Sequence, residues 1–106
     1  MRLFLAALLG LAVTGSASAQ SFSCSARLTP TEATICNNPG LARLDEQVSS
    51  MYFRTRSLTD RVGRARLQRM QREFLLRRDR CGSSFECIID AYDFQRMRLN
   101  TFQRAS

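Results

Sequence analysis

Four cysteines place the strongest limit on what this chain can fold into. They are Cys24, Cys36, Cys81 and Cys87 in a chain of 106 residues. An even number of cysteines in a short exported chain is typical of a disulfide framework, and three pairings are possible. We favour Cys24–Cys36 with Cys81–Cys87, because both pairs close short local loops. Loop-closure entropy then predicts roughly 2–3 kcal/mol of stability from each disulfide.

A zinc site is the alternative use of these cysteines. It would have to consist of cysteines alone, because the chain contains no histidine. The sequence intervals within the favoured pairs do not match the short ligand spacing that is typical of structural zinc sites. No predicted loop carries the cluster of oxygen ligands that calcium requires. We therefore predict no metal site and no cofactor.

Residues 1–19 have the three parts of a secretory signal peptide. Arg2 supplies the positive charge, residues 3–13 form an apolar segment, and the small residues 17–19 form a cleavage site. We expect cleavage before Gln20 and a periplasmic or secreted protein.

Two alternatives to cleavage involve the membrane. A membrane anchor needs roughly 20 apolar residues, and the polar residues within 14–18 end the apolar segment too early. A lipoprotein would carry its lipid on Cys24, but residues 20–23 are unlike the small and apolar residues that precede a lipidated cysteine. We therefore expect a free protein without a transmembrane segment, in which residues 20–106 form one small domain.

Apolar periodicity and capping residues predict four helices and no strand. Thr29, Pro30 and Glu32 are typical of a helix start, with a capping box and with proline at the first helical position. Ser83 and Glu86 form a second capping box at the start of the last helix. Elsewhere apolar residues recur at alternating steps of three and four, as in amphipathic helices. The predicted helices run from residue 30 to 36, 39 to 58, 61 to 80 and 84 to 102.

The expected fold is all-α, with a short N-terminal helix plus an antiparallel three-helix bundle held by two disulfides. Short connections between long amphipathic helices make neighbouring helices antiparallel. In the second helix, the predicted apolar face consists of Leu41, Leu44, Val48, Met51 and Leu58. In the last helix, the predicted inward residues are Phe85, Ile88, Ile89, Tyr92, Leu99 and Phe102.

Arg78 lies on the apolar face of the third predicted helix, four residues after Phe74 and three before Cys81. A charge at such a position must be paired. If the second and third helices form a hairpin, Asp45 lies opposite Arg78, so we predict a structural ion pair between them. The planar fork of arginine can bind a carboxylate with two hydrogen bonds. The alternative is that the Arg78 side chain extends to solvent.

Arginine is the other conspicuous feature of the sequence. Ten arginines fall between Arg54 and Arg80, and the chain contains no lysine. The net charge of the whole chain is +7, and removal of the signal peptide with Arg2 lowers it to +6. A basic surface attracts anionic lipids, glycans and acidic proteins. The alternative is a solvated face without a partner. We expect no nucleic-acid partner, because the protein is exported. The candidate residues for binding an anionic surface share one helix face and are Arg66, Arg69, Arg77 and Arg80.

No set of residues is typical of a catalytic site. Without histidine, a serine or cysteine nucleophile lacks its usual general base. The cysteines are expected to be paired, and Glu73 lies between Arg69 and Arg77 at helical spacing, which is typical of surface charge pairing. We therefore predict that the protein is not an enzyme.

Several short motifs occur together along the chain. They are Phe22-Ser23-Cys24, Thr29 to Glu32 followed by Ile35-Cys36, Leu44-Asp45, Tyr52, Arg78 to Gly82, Cys87 and Tyr92. In these residues the chain resembles the N-terminal domain of the bacterial lysozyme inhibitor LprI family, which are small envelope proteins. The resemblance covers nearly all of residues 20–106, with Phe74 where the family commonly has tryptophan. It implies a helical four-cysteine protein that inhibits lysozyme outside the cytoplasm.

Two non-catalytic functions follow from these observations. The resemblance implies a lysozyme-binding inhibitor. The arginine-rich helix faces indicate instead a basic envelope module that binds anionic lipid, glycan or an acidic protein. Salt distinguishes them, because binding through exposed charges weakens steeply with ionic strength and a packed interface weakens less.

Overall fold

The fold is described by a computed structural model that covers residues 21–105. The predicted signal peptide and its cleavage site lie outside the described residues. Within this part the chain forms four helices and no strand, which confirms the all-α prediction. No helix among them is long and apolar enough to cross a membrane. The helices are α1 (Pro30–Cys36), α2 (Pro39–Ser57), α3 (Arg61–Asp79) and α4 (Phe85–Ala105).

The first three helices begin at side-chain caps. The Glu32 amide donates to Thr29 Oγ1 at 3.1 Å and the Thr29 amide donates to Glu32 Oε1 at 3.0 Å, so the predicted capping box is formed. Asn38 accepts hydrogen bonds from two amides in the first turn of α2. Asp60 Oδ1 accepts from the Gly63 amide at 2.8 Å and caps α3. These caps satisfy backbone donors that have no partner within the helix.

The start of α4 differs from the prediction by one residue. Ser84 is the N-cap, because its hydroxyl oxygen accepts from the Cys87 amide at 3.3 Å, and the predicted Ser83–Glu86 capping box is wrong. The physical reason is a turn over residues 81–84, in which the Ser84 amide donates to the Cys81 carbonyl. Gly82 has a φ of 59° in this turn, a left-handed conformation that favours glycine. The helix can begin only after the turn is complete.

Two residues that were predicted to face inward are exposed instead. Leu58 is 79% exposed and Phe85 is 50% exposed. Leu58 follows the last turn of α2, and Phe85 is the first residue of α4. Both residues therefore lie at helix ends.

The three long helices form an up-down-up bundle. The link between α2 and α3 has only three residues, so these helices run antiparallel. Near the start of α2, Asp45 contacts Tyr92 of α4. Near the end of α2, Thr55 contacts Gln103 of α4, so α4 runs parallel to α2. The core residues are Ile35, Leu41, Val48, Tyr52, Leu67, Met70, Phe74, Ile88, Ala91, Tyr92 and Leu99.

The two disulfides join the segments that the sequence predicted. Cys24–Cys36 ties the N-terminal arm, residues 21–28, to the end of α1. Cys81–Cys87 joins the end of α3 to the first turn of α4. All four cysteines are therefore paired, and the favoured connectivity is confirmed. Disulfides of this kind indicate an extracellular or other oxidising compartment.

Candidate functional site

Arg78 lies at the centre of a buried polar cluster at the end of the bundle that carries the disulfides. The residue is only 1% exposed, so the alternative that its side chain extends to solvent is wrong. Phe22 covers the guanidinium, with its ring centroid 5.2 Å from Arg78 Cζ. The buried polar cluster comprises Ser21, Glu32, Asp45, Arg78, Asp79 and Tyr92.

The Arg78 guanidinium donates hydrogen bonds in three directions. Its Nε and Nη2 donate to Asp79 Oδ1 at 3.0 and 2.9 Å. Nη2 also donates to Glu32 Oε2 at 3.3 Å. Nη1 donates to Ser21 Oγ at 3.2 Å and to the Tyr92 hydroxyl oxygen at 3.3 Å. These bonds offset the free energy of removing a guanidinium from water, which is large for an unpaired charge.

Asp45 lies next to Arg78, as predicted, but the contact has another form. Arg78 Nη1 is 3.8 Å from Asp45 Oδ1, so no direct hydrogen bond joins them. The Tyr92 hydroxyl and the Ser21 hydroxyl each donate to Asp45 Oδ1 at 2.7 Å. The Ser21 amide donates to Oδ2 at 3.1 Å. The two charges are thus within ion-pair distance, but they do not form the two-bond fork of which arginine is capable, because two hydroxyl groups bridge them.

The cluster changes the proton affinity of two of its members. Burial lowers the pKa of Arg78, but Tyr92 and Asp79 oppose this and raise the pKa overall. Burial is also the largest effect on Tyr92, where it raises the pKa far above its ordinary value. The charge of Asp45 raises the pKa of Tyr92 further, and Arg78 acts in the opposite direction. Tyr92 is therefore a stable hydroxyl donor to Asp45.

The role of the buried polar cluster is structural. Ser21 belongs to the N-terminal arm, Glu32 to α1, Asp45 to α2, Arg78 to α3 and Tyr92 to α4. Hydrogen bonds within the cluster thus connect the arm and all four helices. A fully bonded network of this kind fixes one arrangement of the elements around it.

The raised pKa of Tyr92 predicts that the protein loses stability at alkaline pH. Because its pKa is raised by folding, the unfolded chain releases this proton at a lower pH than the folded protein. The contribution of the Tyr92 hydroxyl to the free energy of unfolding is complete below the ordinary tyrosine pKa, and it is lost as pH rises above about 10. Urea unfolding between about pH 9 and pH 12 should therefore show a steeper loss of stability for the wild type than for Tyr92→Phe.

Tyr52→Phe is the matched control, since Tyr52 is the only other tyrosine. It should keep the steep alkaline dependence of the wild type. Tyr92→Phe should also be less stable at neutral pH by about 1–3 kcal/mol, because Asp45 loses a buried donor. Equal alkaline slopes for the wild type and Tyr92→Phe would contradict the raised pKa.

The four predicted anion-binding residues lie along one exposed ridge of α3 and its C-cap residue, which we call the arginine ridge. It consists of Arg66, Arg69, Arg77 and Arg80, all exposed. Glu73 lies midway along the ridge, and its carboxylate is 3.8 Å from Arg98 of α4. This exposed pair contributes little to stability, but Arg98 adds a fifth guanidinium beside the ridge.

Aromatic rings of α4 hold three of these guanidinium groups. Arg77 Cζ lies 4.3 Å from the Phe94 ring centroid, and Arg98 Cζ lies 5.6 Å from the same centroid. Arg66 Cζ lies 5.1 Å from the Phe102 centroid. Such contacts restrict the guanidinium groups while they remain able to donate hydrogen bonds to an anion. Neither Phe94 nor Arg98 was predicted to belong to this site, although Phe94 and Phe102, eight residues apart on one helix, were a visible signal in the sequence.

A groove of about 560 Å³ opens between the first half of α3 and the second half of α4. We call it the α3–α4 groove. Val62 and Met97 on its walls are 68% and 56% exposed, which is high for apolar residues. The groove is lined by Thr59, Asp60, Val62, Gly63, Arg66, Met70, Met97, Arg98, Thr101, Phe102 and Ala105. Its volume is in the range of small-molecule sites.

Residues 21–105 contain no group of three or more histidine, cysteine or acidic side chains that could hold a metal ion. No family model, curated protein or solved structure matches the chain at a significant level. The arginine ridge and the α3–α4 groove are therefore interpreted from their own geometry.

Proposed function

We propose that the chain is exported by its signal peptide and acts, without catalysis, as a binding protein whose target is lysozyme. The motifs around the four cysteines, which resemble those of the LprI family, are the observation that carries this target. The disulfides and the buried polar cluster support the proposal physically. A domain that is ordered before it meets its partner loses less entropy on binding.

The arginine ridge supplies a way to inhibit. Glycoside hydrolysis depends on two carboxylates that flank the scissile bond. An exposed arginine can bind such a carboxylate with two charge-assisted hydrogen bonds. Because many lysozymes are basic and this protein carries a charge of +6 without residues 1–19, the long-range encounter is slow. The contact must therefore be local, with a ridge arginine in the cleft of the enzyme.

The arginine ridge also favours a second function, binding to an anionic component of the envelope. Five guanidinium groups lie along one side of the molecule, and three of them rest on aromatic rings. Each basic residue near an anionic lipid surface contributes about 1 kcal/mol, and this attraction falls off within a Debye length. Binding of this kind needs no enzyme as partner.

Binding measured over a salt series separates the two functions. The mature, oxidised protein should bind lysozyme with an affinity that changes little when salt is raised. A variant with Arg66→Glu, Arg69→Glu and Arg77→Glu should bind lysozyme at least about tenfold more weakly, as expected for a lost charge-assisted pair. The matched control reverses Arg27, Arg43 and Arg54, which are exposed on other surfaces. It undergoes the same change in net charge as the ridge variant and should bind lysozyme at least as tightly as the wild type, because its repulsion from a basic enzyme is smaller.

Three outcomes would contradict part or all of this proposal. If the protein binds no type of lysozyme but binds anionic vesicles through the ridge, with a steep salt dependence, the second function replaces the first. If ridge and control variants bind lysozyme equally well, the ridge is not the contact. If neither lysozyme nor anionic vesicles are bound, both functions are wrong.

A further inference from the structure

The α3–α4 groove has an apolar wall on each side. Val62 and Met70 line it from α3, and Met97 and Ala105 line it from α4. Phe102 is half-buried between the two helices and packs against the core. Methionine side chains adapt to flexible apolar ligands because they are unbranched and polarisable. These walls can therefore accept a narrow apolar chain.

The two ends of the groove carry opposite charges. Thr59 and Asp60 lie at one end, and Asp60 already accepts the amide of Gly63 as the cap of α3. At the other end the groove adjoins a smaller pocket of about 220 Å³, where Glu73 accompanies three guanidinium groups, those of Arg66, Arg69 and Arg98. The net charge of this end is therefore positive. An anionic group is repelled by Asp60 and attracted by the arginines. The electrostatics thus favour one orientation for an elongated anionic ligand.

Arg66 is placed to receive the anionic group. It lines both the groove and the smaller pocket, and it is exposed. Among residues 21–105 no carboxylate lies within ion-pair distance of Arg66, whereas the Arg98 guanidinium already forms an ion pair with Glu73. Arginine binds a carboxylate through two parallel hydrogen bonds, which gives direction as well as affinity.

We propose that the α3–α4 groove binds a single long-chain fatty acid. The carboxylate lies on Arg66, with Arg69 and Arg98 beside it, and the acyl chain lies between Val62, Met97 and Phe102. A folded protein segment is a poorer occupant, because a helix is about 10–12 Å wide with its side chains and the groove has only about 560 Å³. This inference goes beyond the proposed function and does not depend on lysozyme.

The test is displacement of a fluorescent fatty acid from the mature, oxidised protein by palmitate, below the concentration at which palmitate forms micelles. Palmitate should compete at equimolar stoichiometry. The corresponding long-chain alcohol, which lacks the charge, and acetate, which lacks the chain, should each compete at least about tenfold more weakly, because each loses one of the two recognition elements. Anionic phospholipid vesicles are tested in parallel.

Three variants locate the site. Arg66→Gln should weaken palmitate binding at least about tenfold, through loss of a charge-assisted pair. Met97→Glu should weaken it at least as much, because it puts a charge on the apolar wall. Leu76→Glu is the matched control, since Leu76 is 65% exposed on α3 but does not line the groove. Circular dichroism of all three variants confirms that they fold.

Palmitate binding that is unaffected in Arg66→Gln and Met97→Glu would overturn the inference, and so would equal competition by palmitate and the alcohol. Binding of vesicles without binding of monomeric palmitate would assign the groove to a membrane surface and contradict the fatty-acid site. Lysozyme binding measured with Met97→Glu keeps the two proposals separate. That variant should bind lysozyme like the wild type, whatever the outcome with palmitate.

Discussion

Arg78→Ala is expected to lower the free energy of unfolding by roughly 3 kcal/mol or more. The substitution removes the single cation of the buried polar cluster and leaves Asp45, which is 1% exposed, without its compensating charge. Glu32 and Asp79 lose their hydrogen bonds to the guanidinium at the same time. The truncated side chain also leaves a cavity beneath Phe22. The uncompensated charge, the lost hydrogen bonds and the cavity all lower the stability, so their effects add at this one position.

Thermal and urea unfolding measure this loss. For a domain of this size, 1 kcal/mol corresponds to about 4–8 °C in melting temperature, so the midpoint should fall by more than about 12 °C. Arg72→Ala is the matched control, because Arg72 is an exposed arginine on the same helix. It should stay within about 0.5 kcal/mol of the wild type. Similar midpoints for both variants would show that Arg78 does not hold the cluster together.

Loss of both disulfides is the second large effect. The loops close over sequence separations of 12 and 6 residues. Loop-closure entropy assigns roughly 2–3 kcal/mol to each, so reduction of both should remove about 5 kcal/mol. A small domain has only about 5–15 kcal/mol of stability in total. The reduced protein should therefore unfold at far lower urea concentration than the oxidised protein, or fail to fold at 37 °C.

The two disulfides should differ in what they hold. Cys24–Cys36 fixes the arm that carries Ser21 and Phe22 to the buried polar cluster. Without this disulfide the arm is ordered less firmly. Ser21→Ala should therefore lower the free energy of unfolding more in the oxidised wild-type background than in a background that carries Cys24→Ser and Cys36→Ser. The Cys81→Ser, Cys87→Ser variant is the control and should keep the full effect of Ser21→Ala. Equal effects in all three backgrounds would show that the arm does not depend on its disulfide.

Local signals in the sequence were sufficient for the helices. Proline, asparagine and the Thr29–Glu32 capping box predict where α1 and α2 begin, because caps depend on neighbouring residues only. The start of α4 was harder, since both Ser83 and Ser84 can cap. The turn through Gly82 decides between them, and that turn depends on how α3 and α4 are joined.

The site could be predicted only in part. The position of Arg78 on an apolar face indicated a buried charge, and the hairpin geometry pointed to Asp45 as its neighbour. Ser21 and Tyr92 could not be found this way, because they reach Asp45 over separations of 24 and 47 residues. The α3–α4 groove was also not predictable. It is a gap between two helices, and periodicity describes each helix alone.

The most direct test of the proposed function is the residual activity of lysozymes of several types in the presence of the oxidised protein without residues 1–19. If the proposed function is correct, activity of at least one type falls with added protein and reaches a minimum near equimolar ratio. The same titration with the ridge variant, in which Arg66, Arg69 and Arg77 are reversed to glutamate, should leave that enzyme largely active. Full activity of every lysozyme at large molar excess of the wild-type protein would contradict the account.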